Sequence, residues 1–479
     1  MGKEINTSQF SVTDFAGFEE ALRDETGVLK SWFNEGRFAR SPLVGGYELE
    51  AWLVDGRCDP APVNDEFLGL LRKESVVPEL SRFNVELNAP PEFLTGNGLA
   101  NIQAHLTKTW GSAGAVADRM GIRLAMIGIL PTVSQRHLTL ANMSDQERFR
   151  ALNEQVLRIR DNRPLQLDIA GSDSIRMEQS DVMLEAAATS FQIHLQVNDD
   201  EACRYYNAAQ VLCAPIVAAC SNSPFLFGKS LWAETRIPLF EQAVNVQGGT
   251  GDRHSVPPRV TFGDGYVRNS LLELFIENLD RHPVLLPAHL SRDDGRLEHL
   301  RLHNGTIWRW NRPLIGFSNG RPHLRIENRV VSAGPSIPDL VANAAFFFGL
   351  VHALVTGGQP IEAELPFECA RQNFYNAARY GLEASIEWRN RARGSVRSLL
   401  LEKLLPEATR SLKRLDFDVQ DIDHYLSIVE RRVRLRRTGT DWQRAFHSMH
   451  HSSMEDLTAA YLERQESGQP VCEWDTKGC

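Results

Sequence analysis

The chain has 479 residues, 42% of them hydrophobic and 24% charged, a globular composition that leaves little room for extensive disorder. Its 52 Lys+Arg against 61 Asp+Glu give a formal charge of −9, which disfavours nucleic acid and anionic membrane as partners. Seven cysteines with no CxxC pair argue against a disulfide framework, a zinc ribbon or a thioredoxin-type motif.

The N-terminus, MGKEINTSQFSVTDF, is polar and lacks the apolar run of a signal peptide. Helical periodicity follows at about 17–35, 98–120, 144–162, 199–221, 269–281 and 336–355, and then dominates from about 370 to 465. Ser144 with Glu147 three residues on reads as a capping box for the third of these. Leu340–Val355 is the longest apolar stretch, but Asn343, Gly349 and His352 interrupt it, so a buried helix is expected rather than a membrane span. Pro and Gly clusters at 89–97, 244–265 and 311–322 read as punctuation, and the polar segment 247–259 as a long loop. The length prior allows about three domains. The organisation expected is an N-terminal segment with a helix (1–40), one catalytic domain (41–395) and a helical C-terminal region packed on it (396–479).

Four stretches alternate with period two. In Tyr47–Leu53, Glu48 and Glu50 oppose Leu49, Ala51 and Leu53. In Phe83–Asn88 the polar face is Asn84, Glu86 and Asn88; in Phe191–Val197 it is Gln192, His194 and Gln196; in Leu324–Val330 it is Arg325, Glu327 and Arg329. Any one of these suits a strand with one face in water. As a set they do not, because Glu is depleted in strands and here occupies the centre of three of them. Carboxylates converging on one sheet face repel, and burying one unpaired costs several kcal/mol, so a cation must offset them. Either Arg325 and Arg329 pair with the carboxylates, or the oxygen-rich set with one imidazole holds Mg²⁺, with Mn²⁺ as the alternative. Mg²⁺ usually joins carboxylates to substrate phosphates, which points to a nucleotide triphosphate; no Walker A or GxGxxG motif is present.

In order, Gly46-Tyr47-Glu48-Leu49-Glu50, Glu86-Leu87-Asn88, Gln192-Ile193-His194-Leu195-Gln196 and Glu327-Asn328-Arg329 resemble the motifs of glutamate–cysteine ligase family 2, the carboxylate–amine ligases. Glu147-Arg148-Phe149, Ser221-Asn222-Ser223-Pro224 and the segment Ala377–Glu383 add to the resemblance, which covers about 40–390. It implies an α+β, glutamine-synthetase-like fold: a curved, mostly antiparallel sheet lining a funnel, with helices on its back and a helical C-terminal part. It implies ATP and Mg²⁺ as cofactors, phosphorylation of a glutamate side-chain carboxylate, and attack on the acyl phosphate by an amine such as cysteine. Carried over residue by residue, Glu48, Glu50, Glu86, His194 and Glu327 are metal ligands, with Glu79 as a further acidic one. Arg329 and Arg236 hold the transferred phosphate or the substrate carboxylate, while Arg325, Gln192, Gln196 and the loop around Arg259 line the cleft. The sequence departs from some relatives at Gln192, where they carry a second His; an amide coordinates or hydrogen-bonds but does not titrate near neutrality.

A phosphagen-type kinase of the same superfamily and a non-catalytic nucleotide or glutamate sensor are the alternative readings. A cytoplasmic location and small-molecule substrates are expected, with a homo-oligomer open. Outside the motifs, Arg431–Arg437 reads as a solvated helix face, His447–His451 as surface histidines, and Cys203, Cys213 and Cys220 as small packing residues of one helix.

Overall fold

The computed structural model describes residues 4–247, 256–291 and 295–477. Most of the expected polar loop at 247–259 therefore lies outside the described residues. The four alternating stretches become neighbours in one antiparallel sheet, in the order Asn311–Ser318, Arg321–Asn328, Phe191–Val197, Val44–Val54, Asn84–Asn88, Val76–Pro78. Two short strands, Glu92–Phe93 and Arg123–Ala125, pair with the two ends of the Val44–Val54 strand. The sheet curls into a half-barrel. Register places Glu48 opposite Gln192 on one side and Asn88 on the other, Glu50 opposite Glu86, and His194 opposite both Gly46 and Glu327. Period two then puts all the polar positions on the concave face, while Leu49, Val85, Ile193, Leu195 and Ile326 are fully buried on the convex one.

The segment 311–322 is not mere punctuation. It forms an edge strand and a tight turn at Asn319-Gly320, both with positive φ (50° and 76°), leading into the Glu327 strand. Asn-Gly is the pair that such two-residue hairpin turns favour. Pro313 fits because its strand is at the sheet edge, where a missing N–H leaves no ladder bond unmade.

Helices Ala202–Cys220 and Ile337–Thr356 pack together against the convex face, and Leu405–Arg414 and Val419–Leu435 form a further layer on the second of them. Ile337–Thr356 is long and apolar enough to cross a membrane, but 83% of its apolar window is buried inside the fold. Gly349 permits the outer layer to approach, since a Cβ there would lie 3.0 Å from the Ala408 carbonyl oxygen. The hydrophobic cluster is continuous from Ile5 to Trp474. The helical stretch from about 370 is interrupted by the hairpin Ser385–Glu387/Arg393–Ser395, just before the expected C-terminal region, which contains a π-helical turn at Leu400–Leu404.

Two local expectations are corrected. Ser144 does not cap the following helix, which begins at Glu147; its hydroxyl donates to the Glu79 carbonyl and accepts from Asn64. The cap comes from Glu4, whose carboxylate accepts the backbone N–H groups of Glu147 (2.8 Å) and Arg148 (3.4 Å). The Arg-rich run is not one solvated face either. Arg432 is buried and donates to Asn343 Oδ1 (2.8 Å) and the Ala219 carbonyl (3.0 Å), with Asp339 at 3.4 Å. Its neighbours Arg431, Arg434 and Arg436 pair at the surface with Glu473, Glu430 and Glu383. Cys213 and Cys220 are buried along helix 202–220, where burial pushes both thiols up to about 12 and leaves them inert.

Candidate active site

The concave face lines a cleft of about 290 Å³ that contains Glu48, Glu50, Glu79, Glu86, Gln192, Arg325, Glu327 and Arg329. The acidic residues divide into two groups. Glu48, His194 and Glu327 each offer a ligand atom within 4.8 Å of the others, and so do Glu50, Glu79 and Glu86. The first group spans three adjacent strands, and its His194 Nε2 lies 3.2 Å from Glu48 Oε1 and 3.7 Å from Glu327 Oε1. The second spans the Glu50 and Glu86 strands, completed by Glu79 just beyond the short strand 76–78. Glu79 is thus no surface residue.

The two groups differ in charge balance. Burial alone would raise the Glu327 carboxyl, but Arg312, Arg329 and His194 together hold it below the usual range. Glu48 is likewise lowered to about 2, His194 overcoming burial. In the second group no such counter-charge dominates. Burial and the Glu79 charge push Glu50 up to about 7, and burial with Glu48 and Glu79 raises Glu86 well above its ordinary value. Glu86 Oε1 accepts from Asn88 (2.7 Å), while Glu86 Oε2 and His194 Nδ1 are buried without a partner. Both residues stand on the concave face of the sheet by register, where a buried polar atom without a partner is costly.

Gln192 joins the two groups. Its Nε2 donates to Glu50 Oε1 (2.8 Å), and its Oε1 accepts from Arg329, whose Nη1 also lies 3.1 Å from Glu327 Oε2. The other Glu50 oxygen accepts the Ser190 N–H at 2.7 Å. Arg329 stands one residue beyond its strand, held by its own N–H on the Trp310 carbonyl (2.9 Å). The chain matches the model of glutamate-cysteine ligase family 2 over residues 44–462, a span that takes in every one of these side chains. It belongs to glutamate–cysteine ligase family 2.

Among solved structures, the glutamate–cysteine ligase of Francisella tularensis in complex with AMP shares the fold of this family member, with a TM-score of 0.59 at 12% identity over 92% of this chain and 91% of that one. A bifunctional glutathione synthetase from Pasteurella multocida aligns at a TM-score of 0.48 and 11% identity, over 92% of this chain and 54% of that one. A search of functionally curated proteins gives no significant sequence match. The fold is the α+β one expected for the family, a curved antiparallel sheet with helices on its back.

Three of the residues assigned to the cleft by resemblance lie elsewhere. Arg259 is fully buried outside the cleft, donating to Thr306 O (3.0 Å), Thr306 Oγ1 (3.1 Å) and the Pro283 carbonyl. Gln196 turns its amide to Ser41 Oγ at 2.8 Å. Arg236, 2% exposed, lies behind the cleft: its Nη2 donates to the Arg329 carbonyl (3.0 Å) and its guanidinium stacks 5.4 Å from the Trp310 ring centre. Its contacts are thus with the Arg329 backbone and the Trp310 ring. The 221–224 and 377–383 segments are joined through Glu234, which accepts from Asn222 N (3.0 Å) and Ser223, and whose own N–H donates to the Ala378 carbonyl (2.8 Å).

Arg312 and Glu185 are cleft residues that escaped sequence reading. Arg312, on the edge strand opposite Glu327, makes a two-pronged pair with it. Glu185, in the 3₁₀ turn Val182–Ala187, also lines the cleft. Burial, then Glu79 and Glu50, push its carboxyl up to about 8. Asn319-Gly320 was the available signal for Arg312, since a hairpin there puts residue 312 across from 327; a lone Glu in a turn gives none.

Proposed function

We propose that this member of glutamate–cysteine ligase family 2 is an ATP- and Mg²⁺-dependent carboxylate–amine ligase that activates the γ-carboxylate of glutamate as an acyl phosphate and joins it to an amine, cysteine being the favoured acceptor. The observation that carries the reading is the pair of acidic groups on one concave face with Arg329 between them. The donor set fits hard divalent ions: five carboxylates, one imidazole, no thiolate, and a buried Glu86 oxygen without a partner. Glu48, His194 and Glu327 would hold one ion and Glu50, Glu79 and Glu86 another, and such ions supply charge neutralisation for the phosphates of the nucleotide.

The protein's own groups do the positioning. Arg329, oriented by Gln192 and Glu327 and fixed from behind by Arg236, offers a guanidinium for a phosphate or carboxylate. Arg312 keeps Glu327 ionised. An apolar wall including Phe149, Leu152, Phe275 and Leu302 faces the acidic sheet and limits water, which would otherwise hydrolyse an activated acyl group. Incubation with ATP, Mg²⁺, glutamate and a panel of amines, followed by mass spectrometry, tests the reading. ADP, phosphate and a γ-glutamyl amide are expected; a folded, Mg²⁺-binding sample that turns over ATP with none of the amines overturns it, and a phosphorylated guanidine would assign it to the kinases.

A further inference from the structure

Two charged side chains lining the cleft make no hydrogen bond or ion pair among the described residues: Arg325 and Glu185. They lie at opposite ends of the acidic face. Arg325 is in register with Gln196, one step outward from the Glu327–His194 pair. Glu185 precedes Ser190, the residue whose N–H and C=O both hold Glu50 to the far end of the same strand. From Gln196 back to Ser190 the strand rises about 20 Å at roughly 3.3 Å per residue, so the two acidic groups and Arg329 lie between a free guanidinium and a free carboxylate.

A cleft with such ends has a direction. Arg325 suits an anion, phosphate or carboxylate, and its buried Nε has no partner of its own. Glu185 suits a cation. It belongs to neither set of converging ligand atoms. It is half-buried in a turn rather than on the sheet, and it sits close enough to Glu50, Glu79 and Arg329 to sense their charges. Once both acidic groups are neutralised by their ions, a carboxylate that remains unpaired in a water-poor cleft strongly favours a positively charged group. The amine-bearing reactants of a ligase provide one.

Resting on the ligase reading, we infer that Glu185 docks a primary ammonium group of a substrate and is a specificity-determining residue of this site. The ammonium has two sources, the α-amino group of glutamate or the amino group of the acceptor.

Calorimetric binding to the full-length protein, loaded with Mn²⁺ and a non-hydrolysable ATP analogue, separates these sources. The probes are glutamate against glutarate, its deaminated counterpart, and cysteine against 3-mercaptopropionate. In the unaltered protein the amine-bearing member of one pair binds at least about tenfold more tightly than its partner; in Glu185→Gln that advantage falls to near unity, while the deaminated probe binds as before. The pair that changes identifies the source. Mn²⁺ affinity and stoichiometry, read by electron paramagnetic resonance, remain those of the unaltered protein, and Glu185→Ala behaves as Glu185→Gln does. An unchanged preference in both variants, a lack of preference in the unaltered protein, or a loss of Mn²⁺ from the variant overturns the assignment. Failure of the ligase reading is distinct, since it would leave Glu185-dependent amine binding in a protein that forms no amide.

Discussion

Arg312 stands directly across the terminal hairpin from Glu327 and holds both oxygens of its carboxylate, Nε at 2.7 Å and Nη2 at 3.0 Å. Both residues are buried, so the pair works as a unit: the arginine keeps Glu327 ionised where burial would protonate it. Removing one partner strands the other's charge. Arg312→Met is therefore expected to lower unfolding free energy by about 3–5 kcal/mol and to weaken divalent binding at the His194 group. A urea titration that stays within about 0.5 kcal/mol of the unaltered protein would refute the pairing.

Glu86 lies on the opposite side of the balance. Its carboxyl is raised by burial and by Glu48 and Glu79, and one oxygen has no partner. In the metal-free protein Glu86→Gln should raise stability by about 1 kcal/mol or more, because it removes a repelled acid. The same substitution should cost divalent affinity and turnover. Melting in EDTA and Mn²⁺ titration check both halves; a destabilised metal-free variant would count against the charge argument.

The pH response follows from the raised carboxyls. Glu50, at about 7, and Glu185, at about 8, keep their protons in the folded chain to higher pH than in the unfolded one, where carboxyls titrate near 4.3. Their contribution is fully present below the unfolded value and is lost as pH rises through the folded one. Metal-free protein should thus lose stability between about pH 4.5 and 8, by up to about 1.4 kcal/mol per pH unit for each group. Glu48, lowered to about 2, acts oppositely and is lost only in strong acid. Urea midpoints at several pH values in EDTA should fall across this window and recover with Mg²⁺. A rise from pH 5 to 8 in EDTA contradicts the assignment.

Arg432 gives a stability test away from the cleft. It is 1% exposed, beside Asp339 at 0%. Arg432→Met leaves Asp339 buried without its counter-charge and should cost about 3–5 kcal/mol, with KM values unchanged in whatever fraction stays folded. A shift in KM would mean that the outer helical layer is coupled to the cleft.

Much of this arrangement is legible in the chain because strands report their two faces by alternation. Glu48, Glu50, Glu86, His194 and Glu327 share a face in the sequence and share a surface in the fold. What alternation does not carry is depth. Arg236, Arg259 and Gln196 sit in plausible places along the chain, yet each is committed to a neighbouring carbonyl or hydroxyl, a fact set by packing between distant segments. Glu185 has no period to betray it. Arg312 was masked by Pro313, which reads as a breaker unless the strand is known to lie at the edge. Ser144 shows a local motif losing to a tertiary one: its hydroxyl serves Glu79, and the helix takes its cap from Glu4, far away in the chain.

The Glu48, His194 and Glu327 ligand group has a consequence for how the molecule comes into being. Its three members lie on adjacent strands but are widely separated along the chain, so no fragment that ends before the Asn319-Gly320 turn can assemble it. Sheets held together by contacts of such long sequence separation fold slowly. An ion that needs all three side chains would be held at this group only once the Glu327 strand has docked on the His194 strand.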